Sequence, residues 1–247
     1  MSRLFDSGSS LYASSQPSYP AELYAFLAGL CSETKCVWDC ACGSGQAAIN
    51  LVNFFDEVHA TDVSSNQIKN AFEHRQISYA VCPSERPPFA GNTFDLVCVA
   101  QALHWLDFDA FWPEVKRVLK PRGVFAAWGY CWPNVNPEVD KVIQESFIDV
   151  IAPYWEVQNE LLWNHYRDVT FPFELIETPG FEMKMRWNLE QLFAYLHTWS
   201  ATKRCIDARG EDFFREAHSR VLSVWGDPSG RKDVAMDFCC VVGRNVT

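Results

Sequence analysis

The chain has 247 residues, a formal net charge of −10, and 48% hydrophobic and 15% aromatic content. That length fits one large α/β domain better than two independent ones, and the apolar content is ample for a packed core. The acidic balance argues against a nucleic-acid phosphate backbone as main partner, because that affinity comes from Lys and Arg displacing counterions. No apolar run reaches the roughly 18 residues needed to span a bilayer.

The chain carries ten cysteines. Several stand inside apolar runs such as Leu96-Val97-Cys98-Val99, so they read as small buried hydrophobes in a reducing compartment rather than as disulfides. With no signal-peptide pattern, a soluble cytoplasmic protein is expected. Cys36, Cys40 and Cys42 lack a second spaced Cys or His pair, and no metal is expected.

Residues 1–19 form a polar, turn-rich arm in which Tyr12 and Tyr19 stand seven apart. The arm reads either as an unpacked terminus or as a segment that folds over a ligand. From Pro20, Leu23, Phe26, Leu27 and Leu30 recur at helical spacing. A short apolar strand then ends at Asp39, and Ala41-Cys42-Gly43-Ser44-Gly45-Gln46 turns into a helix, the pattern of a loop that approaches a cofactor closely. The second strand ends in an acid, Asp62, placed to hold a ribose hydroxyl, and Ser64 or Ser65 can cap the next helix. A third strand over 77–82 is stopped by the proline-rich loop that carries Ser84 and Glu85. Phe94 to Ala100 reads as a central strand buried on both faces, with Gln101, His104 and Trp105 just beyond its end.

A helix with Phe108, Phe111, Val115 and Val118 leads to a fifth strand over 124–130. Beyond Cys131 the pattern changes to a helix from Pro137 and an irregular segment with Tyr154, Trp155, Trp163 and Tyr166. These rings read either as the wall of a pocket or as ordinary packing. A sixth strand over 180–187, helices over 189–199 and 213–225, and a strand over 234–242 complete the chain. Regular alternation of strands and helices predicts a doubly wound parallel sheet, with late antiparallel strands at one edge.

A dinucleotide loop carries three glycines, whereas here only Gly43 and Gly45 are present. Trp38-Asp39-Cys40-Ala41-Cys42-Gly43-Ser44-Gly45, Asp62, Ser84-Glu85-Arg86-Pro87-Pro88-Phe89, Phe94-Asp95-Leu96-Val97 and Val118-Leu119-Lys120-Pro121-Arg122-Gly123-Val124 resemble the successive motifs of class I S-adenosylmethionine-dependent methyltransferases. The arm and Ala100 to Leu106 resemble the branch around trans-aconitate methyltransferase, of the methyltransferase type 11 kind. The resemblance implies a Rossmann-like, mostly parallel seven-stranded sheet with an antiparallel C-terminal edge and a helical, aromatic cap. The expected organisation is a single methyltransferase domain with an arm at 1–19, a core at about 20–130 and 180–247, and a cap at about 131–179.

The resemblance also implies S-adenosyl-L-methionine as cofactor and assigns roles by position. Asp39 would lie beneath the loop and Gly43 and Gly45 would pass under the methionyl part; Ala41 of that loop, and Tyr12 where the arm folds over a ligand, are further candidate cofactor contacts. Asp62 would bind the ribose, Val63 the adenine face, Ser84 and Glu85 its edge, and Gln101 and Ala102 the neighbourhood of the sulfonium. Tyr19, His104, Trp105, Trp128, Tyr130, Tyr154 and Trp155 are the candidate acceptor-binding residues, and His104 is the candidate base. Arg167, Lys203 or Arg204 could neutralise a carboxylate acceptor. Two departures stand out. Ala41 replaces the first glycine of the loop, and Gln16 stands where related sequences often carry arginine. The expected function is methyl transfer to a small molecule, at the oxygen of a carboxylic acid or hydroxyl. A nicotinamide oxidoreductase and a methyltransferase-like protein of other chemistry are the alternatives. Residue patterns leave monomer and homodimer equally open.

Overall fold

The computed structural model describes residues 17–246, so the expectations for Tyr12 and Gln16 fall outside the described residues. Five strands run parallel: β1 (Cys36–Cys40), β2 (Glu57–Asp62), β3 (Ile77–Val81), β4 (Phe94–Ala100) and β5 (Leu119–Asn134). Three antiparallel strands follow, β6 (Glu174–Ile176), β7 (Met183–Trp187) and β8 (Lys232–Arg244). The order across the sheet is β3-β2-β1-β4-β5-β8-β6, with β7 also paired to β8.

This is the expected doubly wound sheet with its antiparallel edge, built from eight strands rather than seven. The outermost position is shared: β6 pairs with Val242 to Arg244 of β8, and β7 pairs with Lys232 to Met236. Between them, residues 237–241 have no strand on their outer side among the described residues.

Helices fill the connections: α1 (Ala21–Leu30), α2 (Ala48–Leu51), α3 (Ser65–Lys69), α4 (Phe108–Val118), α5 (Pro137–Ile143), α6 (Asn159–Trp163), α7 (Leu189–Thr198), α8 (Ser200–Arg209) and α9 (Asp212–Trp225). Local chemistry sets their starts. Ser64 Oγ accepts from Gln67 N–H at the head of α3, Asn136 caps α5, and Asn188 with Gln191 forms a reciprocal cap on α7. No helix among the described residues is long and apolar enough to cross a membrane.

Alternate strand residues feed two cores. Val37, Leu96, Val124 and Trp128 face a layer built from α1, α2, α5, α7, α8 and α9. Trp38, Val97, Phe125 and Cys131 face α4, α6 and the segment around Tyr166. Coverage of both faces explains why β1 is buried at every position and β4 at all but its last. The strand ends at Cys40, Asp62 and Ala100 therefore open onto one common rim.

Candidate active site

The turn after β1 is built on left-handed backbone at Ala41, Gly43 and Gly45, with φ of 56°, 55° and 82°. Gly43 has open space where a Cβ would stand, and its N–H donates to Asp62 Oδ2 at 2.8 Å. Asp62 Oδ1 accepts from the N–H of Ser64, also at 2.8 Å. The acid ending β2 therefore fixes both the glycine turn and the start of α3. Gly45 is closed over by the Tyr79 ring, whose hydroxyl donates to Phe72 O, so it shapes the turn from outside the cavity. Asp39 lies fully buried, away from the cavity wall, and burial pushes its carboxyl up to about 7.

A cavity of about 430 Å³ occupies the rim. In sheet order its wall takes Ser84 and Glu85 after β3, Asp62 and Val63 after β2, Ala41 to Ser44 after β1, then Gln101, Ala102 and Trp105 after β4. Tyr130 of β5 and Tyr19 continue the wall, and Glu156, Gln158, Ser200 and Arg204 complete it. Val63 is 64% exposed, an apolar side chain left open at this rim. Ser84 is buried, and Glu85 Oε1 accepts from Asp107 N–H at 3.2 Å, joining the β3 loop to the head of α4.

Gln101 lines the cavity, yet its amide is committed elsewhere. Its Nε2 donates to Tyr130 O and its Oε1 accepts from Tyr130 N–H, both at 2.8 Å, which adds a side-chain rung beyond the end of the β4–β5 ladder. Tyr19 is 9% exposed, lies edge-on to Trp128 at 5.8 Å and sits 6.0 Å from Tyr130. Gln46 Nε2 donates to Pro17 O at 2.7 Å. For residues 17–19 the reading of an unpacked terminus is thus corrected: Gln46 of the glycine turn holds the backbone while Tyr19 packs on two rings.

Four expected acceptor residues lie off the cavity wall. His104 is 4% exposed, burial pulls its imidazole down to about 4, and its Nδ1 faces the Tyr166 hydroxyl at 3.2 Å. Trp128 is fully buried under Tyr19. Trp155 belongs to a cluster with Trp132, Trp163 and Trp199, ring centroids 5.3–6.2 Å apart. Tyr154 contributes its carbonyl, which accepts from Arg204 Nη1 at 2.7 Å. Arg204 Nη1 also pairs with Glu156 Oε1 at 2.9 Å, while its Nη2 is buried with no hydrogen-bond partner among the described residues. Of the three cations considered for a carboxylate, only Arg204 lines the cavity.

The family profile described as a methyltransferase domain matches residues 38–127. A solved structure described as a type II methyltransferase from Anaeromyxobacter dehalogenans is 35% identical, spans 94% of this chain and 98% of its own, and superposes with a TM-score of 0.87. The chain belongs to the class I S-adenosylmethionine-dependent methyltransferases. A Dictyostelium discoideum protein named as a methyltransferase is 26% identical over 230 residues, 92% of this chain and 88% of its own length. The [4+2]-cyclase SpnF shares the fold alone, at 14% identity with a TM-score of 0.53 over 100% of this chain and 96% of its own.

Within this methyltransferase, the family segment at 38–127 supplies the glycine turn, Asp62, Ser84, Glu85, Gln101, Ala102 and Trp105 to the wall. Tyr130, Glu156, Gln158, Ser200 and Arg204 lie outside that segment. Among the described residues, the cavity wall carries three carboxylates, Asp62, Glu85 and Glu156, against one cation, Arg204.

Proposed function

We propose that this methyltransferase uses S-adenosylmethionine to methylate an oxygen of a small molecule, a carboxylic acid before a hydroxyl. The distribution of charge around one cavity carries the reading. Asp62 and Glu85 stand on the family-matched part of the wall, while the single cation among the described residues, Arg204, stands on the part contributed by later residues. A cavity with excess negative charge suits a cationic sulfonium and opposes the two negative charges of a dinucleotide pyrophosphate. That opposition, with the two-glycine turn, removes the support for a nicotinamide cofactor.

The residues fit the proposed cofactor. Gly43 leaves open space for close backbone approach, Val63 offers an apolar face for the adenine, and Asp62, Ser84 and Glu85 supply polar edges for the ribose and the ring. When bound, the cofactor supplies a methyl group already activated on sulfur. The chain's own residues then orient the acceptor and exclude water: the guanidinium of Arg204, the cation on the described part of the wall, takes the carboxylate, while Tyr19 and Tyr130 close the wall. A carboxylate arrives ionised and needs no base, which agrees with the buried position of His104 off the cavity wall. In this reading the chain is one methyltransferase unit, with the segment between β5 and β6 acting as a cap.

Calorimetry with S-adenosylmethionine and NAD, followed by transfer of labelled methyl into a panel of acids and alcohols, tests the proposal. We expect binding of S-adenosylmethionine, methylation of acids, and about a 10-fold or greater rise in KM for acids in Arg204→Gln at unchanged cofactor affinity. Binding of NAD alone would sink the cofactor assignment. Cofactor binding without methylation of any acid, or methylation of acids at an unchanged KM in the variant, would sink the acceptor assignment.

A further inference from the structure

We propose that Cys131, His165 and Asp237 form a site for one divalent transition-metal ion of the zinc class, separate from the cofactor cavity. One side-chain donor from each residue lies within 4.8 Å of the others, and His165 Nε2 stands 3.0 Å from Asp237 Oδ2. A tetrahedral zinc ion with ordinary bond lengths holds sulfur, nitrogen and oxygen donors roughly 3.3–3.6 Å apart, so small side-chain shifts suffice. A thiolate, an imidazole and a carboxylate match that ion and are wrong for magnesium or calcium, which prefer all-oxygen shells.

Three elements converge to make this set. The β5–β8 register shifts between Tyr130 and Pro133, which brings Cys131 opposite Asp237 at an irregularity of the ladder. Asp237 also begins the stretch of β8 that has no outer strand among the described residues. His165 arrives from the turn after α6, where it and Tyr166 adopt φ of 53° and 57°, and the Tyr166 hydroxyl anchors that turn on His104. Cys131 is buried, while the His165 and Asp237 side chains are 30% and 38% exposed, which leaves access for an ion and a fourth, solvent ligand. The similar grouping of Cys36, Glu57 and His59 is a weaker candidate, because all three residues stand on the two paired strands β1 and β2, whereas His165 comes from a third, separate element. Cys36 and Glu57 are register partners of the β1–β2 ladder, so pairing alone accounts for their proximity.

Titration of the reduced, chelator-treated full chain with Co²⁺, and then with Zn²⁺ as competitor, tests the site. We expect one equivalent of Co²⁺ to bind with a thiolate charge-transfer band that Zn²⁺ abolishes. Cys131→Ser should lose the band, and Asp237→Asn and His165→Asn should weaken binding at least 10-fold. Cys36→Ser should leave the band intact, and thermal unfolding should rise with Zn²⁺ in the parent but not in Cys131→Ser. The two substitutions at half-exposed positions keep the test open if Cys131→Ser fails to fold. Absence of the band in the parent, or its persistence at full strength in the Asp237 and His165 variants, overturns the proposal. S-adenosylmethionine affinity measured on the same samples reads the cofactor site independently.

Discussion

Ala41 stands in left-handed backbone, at φ 56°, where the resemblance expects glycine. A β-carbon there costs about 1–2 kcal/mol, partly offset because alanine has less freedom to lose on folding than glycine. Ala41→Gly should therefore raise stability by about 0.5–1 kcal/mol, read from the denaturant midpoint; a lower midpoint would show that the methyl makes packing contacts worth more than the strain. At this scale one side of the cavity wall was legible, because Gly43, Asp62, Ser84 and Glu85 all stand at or just after strand ends that the apolar pattern marks. The direction of a side chain was not legible in the same way. His104 lies close to the end of β4, yet its ring turns to Tyr166, and Trp155 joins three other indoles rather than the cavity.

Among the elements, β4 and β5 depend on a contact that secondary-structure patterns cannot show. The amide of Gln101 bridges Tyr130, and a β-carbon at Gly129 would stand 2.7 Å from Gln101 Oε1 and 2.6 Å from Leu162 Cδ1. Gly129→Ala should cost about 1–3 kcal/mol and loosen the cavity wall at Gln101, checked by denaturant unfolding together with cofactor affinity. An alanine variant of parental stability would show that Gln101 and Leu162 yield freely. Among the elements that escaped sequence reading, α8 and β6 did so for physical reasons. α8 turns only small residues inward, Ala201, Thr202 and Cys205, so its periodicity lacks the large apolar signal of α4 or α9. β6 has three residues, too few for alternation to appear. Missing α8 also meant missing why Arg204, rather than Arg167 or Lys203, reaches the cavity.

Across the whole molecule, two buried groups give stability opposite dependences on pH. The Asp39 carboxyl is raised from 3.8 to about 7 by burial, so between those values the folded chain holds a proton that the unfolded chain has released, and stability falls as pH rises. The His104 imidazole is lowered from 6.5 to about 4 by burial; between those values the unfolded chain holds the extra proton, and stability rises with pH. Each slope is at most about 1.4 kcal/mol per pH unit, and they oppose one another between about pH 4 and 6.5. Relative to the parent, Asp39→Asn should gain a rising profile and His104→Gln a falling one, measured by denaturant midpoints across that range. Profiles parallel to the parent's would remove both groups from the balance.

The divided outer position of the sheet has a consequence for how copies of the chain meet. A long unpaired strand edge is a template for another chain's backbone, and β8, at 13 residues, would be such a template if left bare. Three residues of β6 and five of β7 cover its ends, and the uncovered middle begins with the charged Asp237. Among the described residues no long, flat edge remains on that side, so the same interruption that sets Asp237 beside His165 leaves only short templates for another chain's strand.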